Sequence, residues 1–220
     1  MAIPVLIIGK SGSGKSASMK HCVGKDFNLV RVLNKPLPFR GKIPGWVTDD
    51  YQMVTRALKS APAKSVVIDD AGYLITNYFM RNHSTKGKGN EVFGLYNTLA
   101  DNFWNLIEFI VNQVPQEKVV YVMMHEDTDD YGNVKAKTIG KLLDEKICLE
   151  GMFTIVLRCV NNLSEHKFIT QSDGSAISKS PEGMFEDTEI PNDLLYVDSR
   201  IREYYGIENP KNREQKESEK

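Results

Sequence analysis

Eight residues near the N-terminus, Gly9-Lys10-Ser11-Gly12-Ser13-Gly14-Lys15-Ser16, follow the pattern G-x-x-x-x-G-K-[ST]. A chance match in a chain of this size is expected about one time in a hundred. The preceding residues 3–8, IPVLII, are a short apolar run that reads as a buried strand, and 15–23 reads as a helix. A strand, a glycine-rich loop and a helix in that order form the context in which the pattern acquires chemistry. Glycines let backbone N–H groups approach phosphate oxygens, and the helix start adds positive potential. Gly9, Lys10, Ser11, Gly12, Ser13, Gly14, Lys15, Ser16 and Ala17 are therefore the expected phosphate-binding set. Lys15 is expected to reach the β- and γ-phosphates, and the Ser16 hydroxyl to ligate Mg²⁺. The competing reading is a flexible Gly/Ser turn.

A second acidic element fits the first. Val66-Val67-Ile68-Asp69 is an apolar strand ending in a carboxylate, and Asp70 follows at once. Asp69 is expected to hold Mg²⁺, directly or through water. Asp70 is expected to orient or deprotonate the attacking water; the alternative is that it caps the next segment. ATP and Mg²⁺ are the expected ligands.

The rest of the chain supplies an alternating pattern. Strands are expected at 27–33, 65–70, 118–124 and 152–160, with 165–171 as a hairpin partner of the last. Helices are expected at 48–60, 91–112, 139–147 and 193–205. The firmest of these is 91–112, with Val92, Leu95, Leu99, Phe103, Leu106 and Ile110 at helical spacing. Pro36, Pro38, Pro44, Gly41 and Gly45 make 34–47 a loop, 80–90 reads as a polar basic loop, and 128–137 as a hairpin. Such alternation argues for an α/β fold with a mostly parallel sheet sandwiched by helices, and antiparallel edge strands toward the C-terminus. Residues 1–206 read as one domain and 207–220 as a charged, disordered tail.

One strand–helix unit separates the two nucleotide motifs. That spacing is expected when a later strand inserts between the two motif strands, giving the order 5-1-4-3-2 with 118–124 as strand 4. Its C-terminal end brings His125 and Glu126 beside the γ-phosphate. His125 is expected to sense the phosphate, the alternative being an ordinary strand-end histidine, and Glu126 is a rival to Asp70 for positioning water.

With the motifs placed, the chain resembles the phage-encoded RecA-like P-loop ATPases associated with single-strand annealing and recombination. The likeness rests on GKSGSGKS at 9–16 and VVIDDAGYLI at 66–75. It extends through MMHEDTDDYGNVKAKTIGKLLDEK at 123–146, KSPEGMF at 179–185 and IPNDL at 190–194. The resemblance implies a RecA-like fold over roughly residues 2–205 and ATP hydrolysis in DNA recombination. It also implies work on single-stranded DNA as a homo-oligomeric ring or filament, with a single-strand-binding protein as a further partner. RecA-type enzymes carry a glutamate at the end of the second strand; here that place is Leu33-Asn34-Lys35, so the role of base passes to Asp70. Asp is one methylene shorter, which implies slow turnover.

Lys+Arg number 28 and Asp+Glu 29, for a net charge of −1. A chain this close to neutral must bind nucleic acid through a local patch. Arg81, Lys86 and Lys88, in a loop with His83, are the expected DNA contacts; a solvated surface loop is the alternative. Lys35, Arg40 and Lys42, with Phe39 and Trp46, make a second, weaker patch. Lys141 is the expected cation delivered to a neighbour's site in the oligomer, against the alternative of a solvated helix face. The three cysteines, Cys22, Cys148 and Cys159, form no metal-ligand pattern and imply a reducing compartment, the cytoplasm of a bacterial host if the gene is a phage's. No apolar run approaches a membrane span. Two other functions stay open: a nucleotide-gated binding module with incidental hydrolysis, and a small-molecule kinase. The eight scattered arginines count against a kinase lid.

Overall fold

The computed structural model describes residues 1–84, 90–129, 131–162, 165–172, 174 and 176–207. The chain is α/β, with a mostly parallel central sheet covered by helices on both faces and antiparallel strands added to it. The strands are β1 (Ile3–Gly9), β2 (Phe27–Arg31), β3 (Gly45–Val47), β4 (Ser65–Asp69), β5 (Val119–Thr128), β6 (Val134–Ala136), β7 (Ile155–Asn162), β8 (Glu165–Ile169) and β9 (Glu189–Pro191). The sheet order is β3-β2-β4-β5-β1-β7-β8-β9, with β6 paired to β5 alone. From β3 through β7 every neighbouring pair is parallel. Pairs β7–β8 and β8–β9 are antiparallel, as is β5–β6.

The apolar runs explain the centre of this sheet. A parallel strand buried on both faces reads as a near-continuous apolar run rather than an alternating one. In β1, Leu6 and Ile8 face one core and Val5 and Ile7 the other, all fully buried. The first core is covered by α1 (Tyr51–Ser60), α2 (Gly72–Asn82) and α3 (Asn90–Gln113), with α3 packed against the other two. The second is covered by α4 (Leu194–Tyr204) and a short 3-10 helix over Ser16–Cys22, which pack on each other. Asp50 caps α1 by accepting from the Met53 N–H at 2.8 Å.

A buried polar cluster ties α4 to the N-terminal ends of β4 and β5. Arg202 Nε donates to Asp198 Oδ2 at 2.8 Å and Arg202 Nη2 to Ser65 Oγ at 2.7 Å. Ser65 Oγ and Tyr121 OH both donate to Asp198 Oδ1, at 2.6 and 2.8 Å. Every member is paired, which is the condition under which buried charge is tolerated.

Several expectations need correction. Within 34–47, Gly45–Val47 is a parallel edge strand rather than loop. A Cβ at Gly45 would lie 1.8 Å from the Leu29 carbonyl oxygen, so glycine is what lets the two backbones meet. Arg81 belongs to the last turn of α2, not to a loop, because the helix continues through Asn82. His125 and Glu126 lie inside β5, which runs on to pair with β6. The helix expected at 139–147 is a single π turn, Leu142–Lys146. Strand β7 is parallel to β1, so antiparallel addition begins only at β8. The segment after the glycine loop is 3-10 rather than α-helical: the Ser18 hydroxyl donates to the Lys15 carbonyl at 2.6 Å and tightens the turn. Among the described residues no helix is long and apolar enough to cross a membrane.

Candidate nucleotide site

The glycine loop leaves β1 at the C-terminal edge of the sheet. A Cβ on Gly9 would lie 2.6 Å from the Cys159 carbonyl oxygen of β7, so the loop is seated directly on its neighbour strand. Gly14 has φ +106°, and a Cβ there would come within 2.8 Å of the His166 ring. His166 Nδ1 lies 2.7 Å from the Ser13 carbonyl. A carbonyl only accepts, so Nδ1 carries the proton and donates. Thus β8 braces the loop from outside, a contact for which the sequence carried no signal.

Lys15 is buried, and its ammonium folds back over the loop. It donates to the carbonyls of Gly9 at 2.7 Å and Lys10 at 2.9 Å, and lies 3.5 Å from His125 Nδ1. Burial lowers its pKa, with the nearby thiol and carboxylates opposing the shift. Lys10, Ser11 and Gly12 are exposed, so their backbone is open to a ligand; Ser13 is buried.

Ser16 Oγ donates to both oxygens of Asp69, at 2.9 and 3.0 Å. Burial and the adjacent Asp70 push the Asp69 carboxyl up to about 6, against the Ser16 hydrogen bond. The pair presents oxygen ligands of the kind Mg²⁺ takes, with phosphate oxygens and water to complete an octahedron. Among the described residues no group of three or more His, Cys, Asp or Glu could hold a metal unaided.

Asp70 has φ +60°, the left-handed region, where non-glycine residues are uncommon. Such a conformation costs of order 1–3 kcal/mol and persists where surrounding contacts impose it. Here the Ala71 N–H donates to the Met123 carbonyl at 2.8 Å and the Tyr73 N–H to Asp70's own carbonyl at 2.9 Å. The kink turns β4 into α2 and sets the Asp70 carboxylate in the site, ion-paired with Lys35 and 3.6 Å from His125 Nε2. The parallel register places His125 opposite Gly9. Burial, then Lys15, lowers the His125 pKa, which favours its neutral form.

Beside these groups lies a cavity of about 420 Å³. Ser11, Gly14, Lys15 and Ser16 line it from the loop, with Asp70 and His125 from β4 and β5. Lys35 and His166 also line it; the sequence reading put Lys35 in a basic patch at the end of the second strand and gave His166 no role. A second cavity of about 570 Å³, lined among others by Lys20, His21, Glu165 and Asn192, shares Ala17 and His166 with the first.

The remaining candidates lie elsewhere. Glu126, next to His125 on a strand, points to the other side of the sheet. It accepts from Arg158 Nε at 2.9 Å and Nη2 at 3.0 Å, which engages both its oxygens. Lys141 is exposed, just before the π turn, and does not line the cavity. Arg81 is paired with Asp49, which also accepts from Asn77 Nδ2 at 2.7 Å. Lys86 and Lys88 lie outside the described residues. A scan against protein-family models and a search of curated proteins return no match for this chain.

Proposed function

We propose that this chain is a Mg²⁺-dependent P-loop ATPase of the RecA-like kind, acting on single-stranded DNA as an oligomer. The observation that carries the nucleotide reading is the convergence of Lys15, Ser16, Asp70 and His125 on one cavity beside the glycine loop, with Asp69 held to Ser16 at its edge. The strand order supports the RecA-like class, because β5 lies between β1 and β4, the two strands that carry the motifs. The adjoining cavity at Ala17 and His166 leaves room for the nucleoside beyond the phosphates.

In this reading the loop N–H groups and Lys15 hold the phosphates. Ser16 and Asp69 would hold Mg²⁺, which would supply charge neutralisation for the phosphates. Asp70 orients the water, and neutral His125 contacts the γ-phosphate region. Single-strand binding, oligomerisation and a single-strand-binding protein partner rest on the resemblance, with Lys86, Lys88 and Arg81 as DNA contacts and Lys141 reaching a neighbour.

The test is phosphate release from ATP with and without single-stranded DNA, in the wild type and in Lys15→Ala. Wild-type turnover stimulated by DNA, with Lys15→Ala reduced by about 30-fold or more, supports the reading; the charge-assisted contacts removed are worth about 2 kcal/mol or more. Equal nucleotide affinity and turnover in the two proteins would sink it. One observation favours the nucleotide-gated binding module as a second reading: Asp70, the expected base, is already ion-paired with Lys35. Tight ATP binding with no turnover, with or without DNA, would select it.

A further inference from the structure

Lys35 stands where the resemblance expects an acid, and it is held there by its own neighbours. Its N–H donates to the Leu33 carbonyl at 2.9 Å, and Arg31 Nη1 donates to the Lys35 carbonyl at 3.1 Å. Pro36 follows and restricts its backbone to extended conformations. The Lys35 side chain is half exposed, whereas its partner Asp70 is 4% exposed. Burial alone would depress the Lys35 ammonium; the Asp70 carboxylate overrides it and raises its pKa, so the group stays charged.

The cavity wall therefore carries two cations, Lys15 and Lys35, and the Asp70 carboxylate, with a second carboxylate, Asp69, joined to the wall through Ser16. Lys15 is buried and satisfied by loop carbonyls, and Asp69 is satisfied by Ser16. Lys35 is the one of the four that combines solvent access with a long flexible stem, and it lines the same wall as Lys15 and Ser16. A triphosphate adds several negative charges beside Asp70. Two like charges at close range repel unless a cation serves both.

We infer that Lys35 reads the γ-phosphate: a bound triphosphate draws its ammonium off Asp70, and this exchange frees the Asp70 carboxylate to hold the attacking water. A diphosphate does not reach Lys35, so the Lys35–Asp70 pair persists and the carboxylate stays blocked. The inference rests on the nucleotide reading of the glycine loop. In the step it licenses, the water oxygen bonds to the γ-phosphorus. The bond from phosphorus to the β–γ bridging oxygen breaks with its electron pair left on ADP. One water proton remains on the released phosphate and the other passes through Asp70 to solvent.

The test compares binding of a fluorescent non-hydrolysable ATP analogue with that of fluorescent ADP, both with Mg²⁺, in the wild type, Lys35→Met, Lys35→Gln and Lys35→Arg. Lys35→Met and Lys35→Gln are expected to lose about tenfold in triphosphate affinity, the effect of one charge-assisted contact, while ADP affinity stays within about twofold. Lys35→Arg is expected to keep the discrimination. Equal weakening for both nucleotides, or no change for either, overturns the role of Lys35 and leaves the loop assignment standing. A wild-type protein that binds neither nucleotide overturns both. The neutral variants are judged at an unchanged melting temperature without nucleotide, and two of them guard against one failing to fold.

Discussion

The Ser16 hydroxyl donates to both carboxylate oxygens of Asp69, across 53 positions of sequence, at 2.9 and 3.0 Å. The bond joins the loop after β1 to the end of β4, two strands that are not neighbours in the sheet. Strand β5 lies between them and delivers His125 into the same space. The candidate site is thus assembled from three strand ends, and the proposed function gives its members separable roles.

Separation of the two aspartates is the first consequence. Asp69→Asn should raise the Mg²⁺ concentration needed for turnover by about tenfold or more, as removal of a metal-orienting group does. Asp70→Asn should keep Mg·ATP binding and slow turnover by roughly 10²–10⁴, the usual contribution of a positioned acid–base group. Glu126→Gln should leave turnover within a few-fold, because Arg158 already engages both Glu126 oxygens. Steady-state phosphate release over a Mg²⁺ titration reads all three. If Glu126→Gln is slow and Asp70→Asn is not, Glu126 is the base.

A pH dependence follows from Asp69. Burial, then Asp70, raises its carboxyl from 3.8 to about 6 in the folded chain. The folded state therefore binds more protons than the unfolded state between those values. Stability from this group is full below pH ~4 and is lost as pH rises through ~6. The shift corresponds to roughly 3 kcal/mol at most. Without nucleotide, Asp69→Asn should gain stability relative to wild type between pH 4.5 and 7, measured by denaturant unfolding. An Asn variant with a constant offset across that range would contradict the raised carboxyl.

Under the single-strand reading, DNA binding should carry a salt-dependent signature. The Lys86→Ala/Lys88→Ala double variant should lower the log–log salt slope for single strands by about 1.4, at roughly 0.7 per lost phosphate contact. Adding Arg81→Ala should lower it by less than another full contact, because Asp49 already neutralises that guanidinium. ATP binding should survive, since Lys15, Ser16 and Asp69 lie on other elements. An unchanged slope with unchanged affinity would move the DNA site to the Lys35–Trp46 region or remove it.

The buried cluster under α4 sets a stability prediction. Arg202→Ala leaves the Asp198 carboxyl without its ion-pair partner, among Ser65 and Tyr121 in a site where Asp198 is 6% exposed. Breaking a buried pair from one side costs about 3–5 kcal/mol. For a chain of this size that is roughly 10 °C in Tm. Replacing both partners, Arg202→Met with Asp198→Leu, should recover much of the loss in thermal unfolding. A single variant that melts like wild type would show the cluster to be dispensable.

The sequence alone determined what the backbone must do locally. An unbroken apolar run cannot sit on a half-solvated strand, so β1, β4 and β5 were legible as buried parallel strands. A glycine loop between strand and helix, and an acid ending an apolar strand, made Lys15, Ser16 and Asp69 the candidates for phosphate and Mg²⁺ contacts. What tertiary structure decided was partnership across distance. The Pro- and Gly-rich text of 34–47 hides β3, because a three-residue edge strand takes its pairing from β2 rather than from its own pattern. Lys35 reads as one basic residue among several until β2 and β4 lie side by side and bring it to Asp70. His166 reads as an ordinary histidine until β8 folds back on β7 and sets its ring against Gly14. Glu126 and His125 are adjacent in sequence, and the alternation of a strand sends one to Arg158 and the other to the cavity. Local periodicity and motif spacing specify elements and the atoms they carry. Which charges meet is set by strand order and register, and those exist only once the chain has closed on itself.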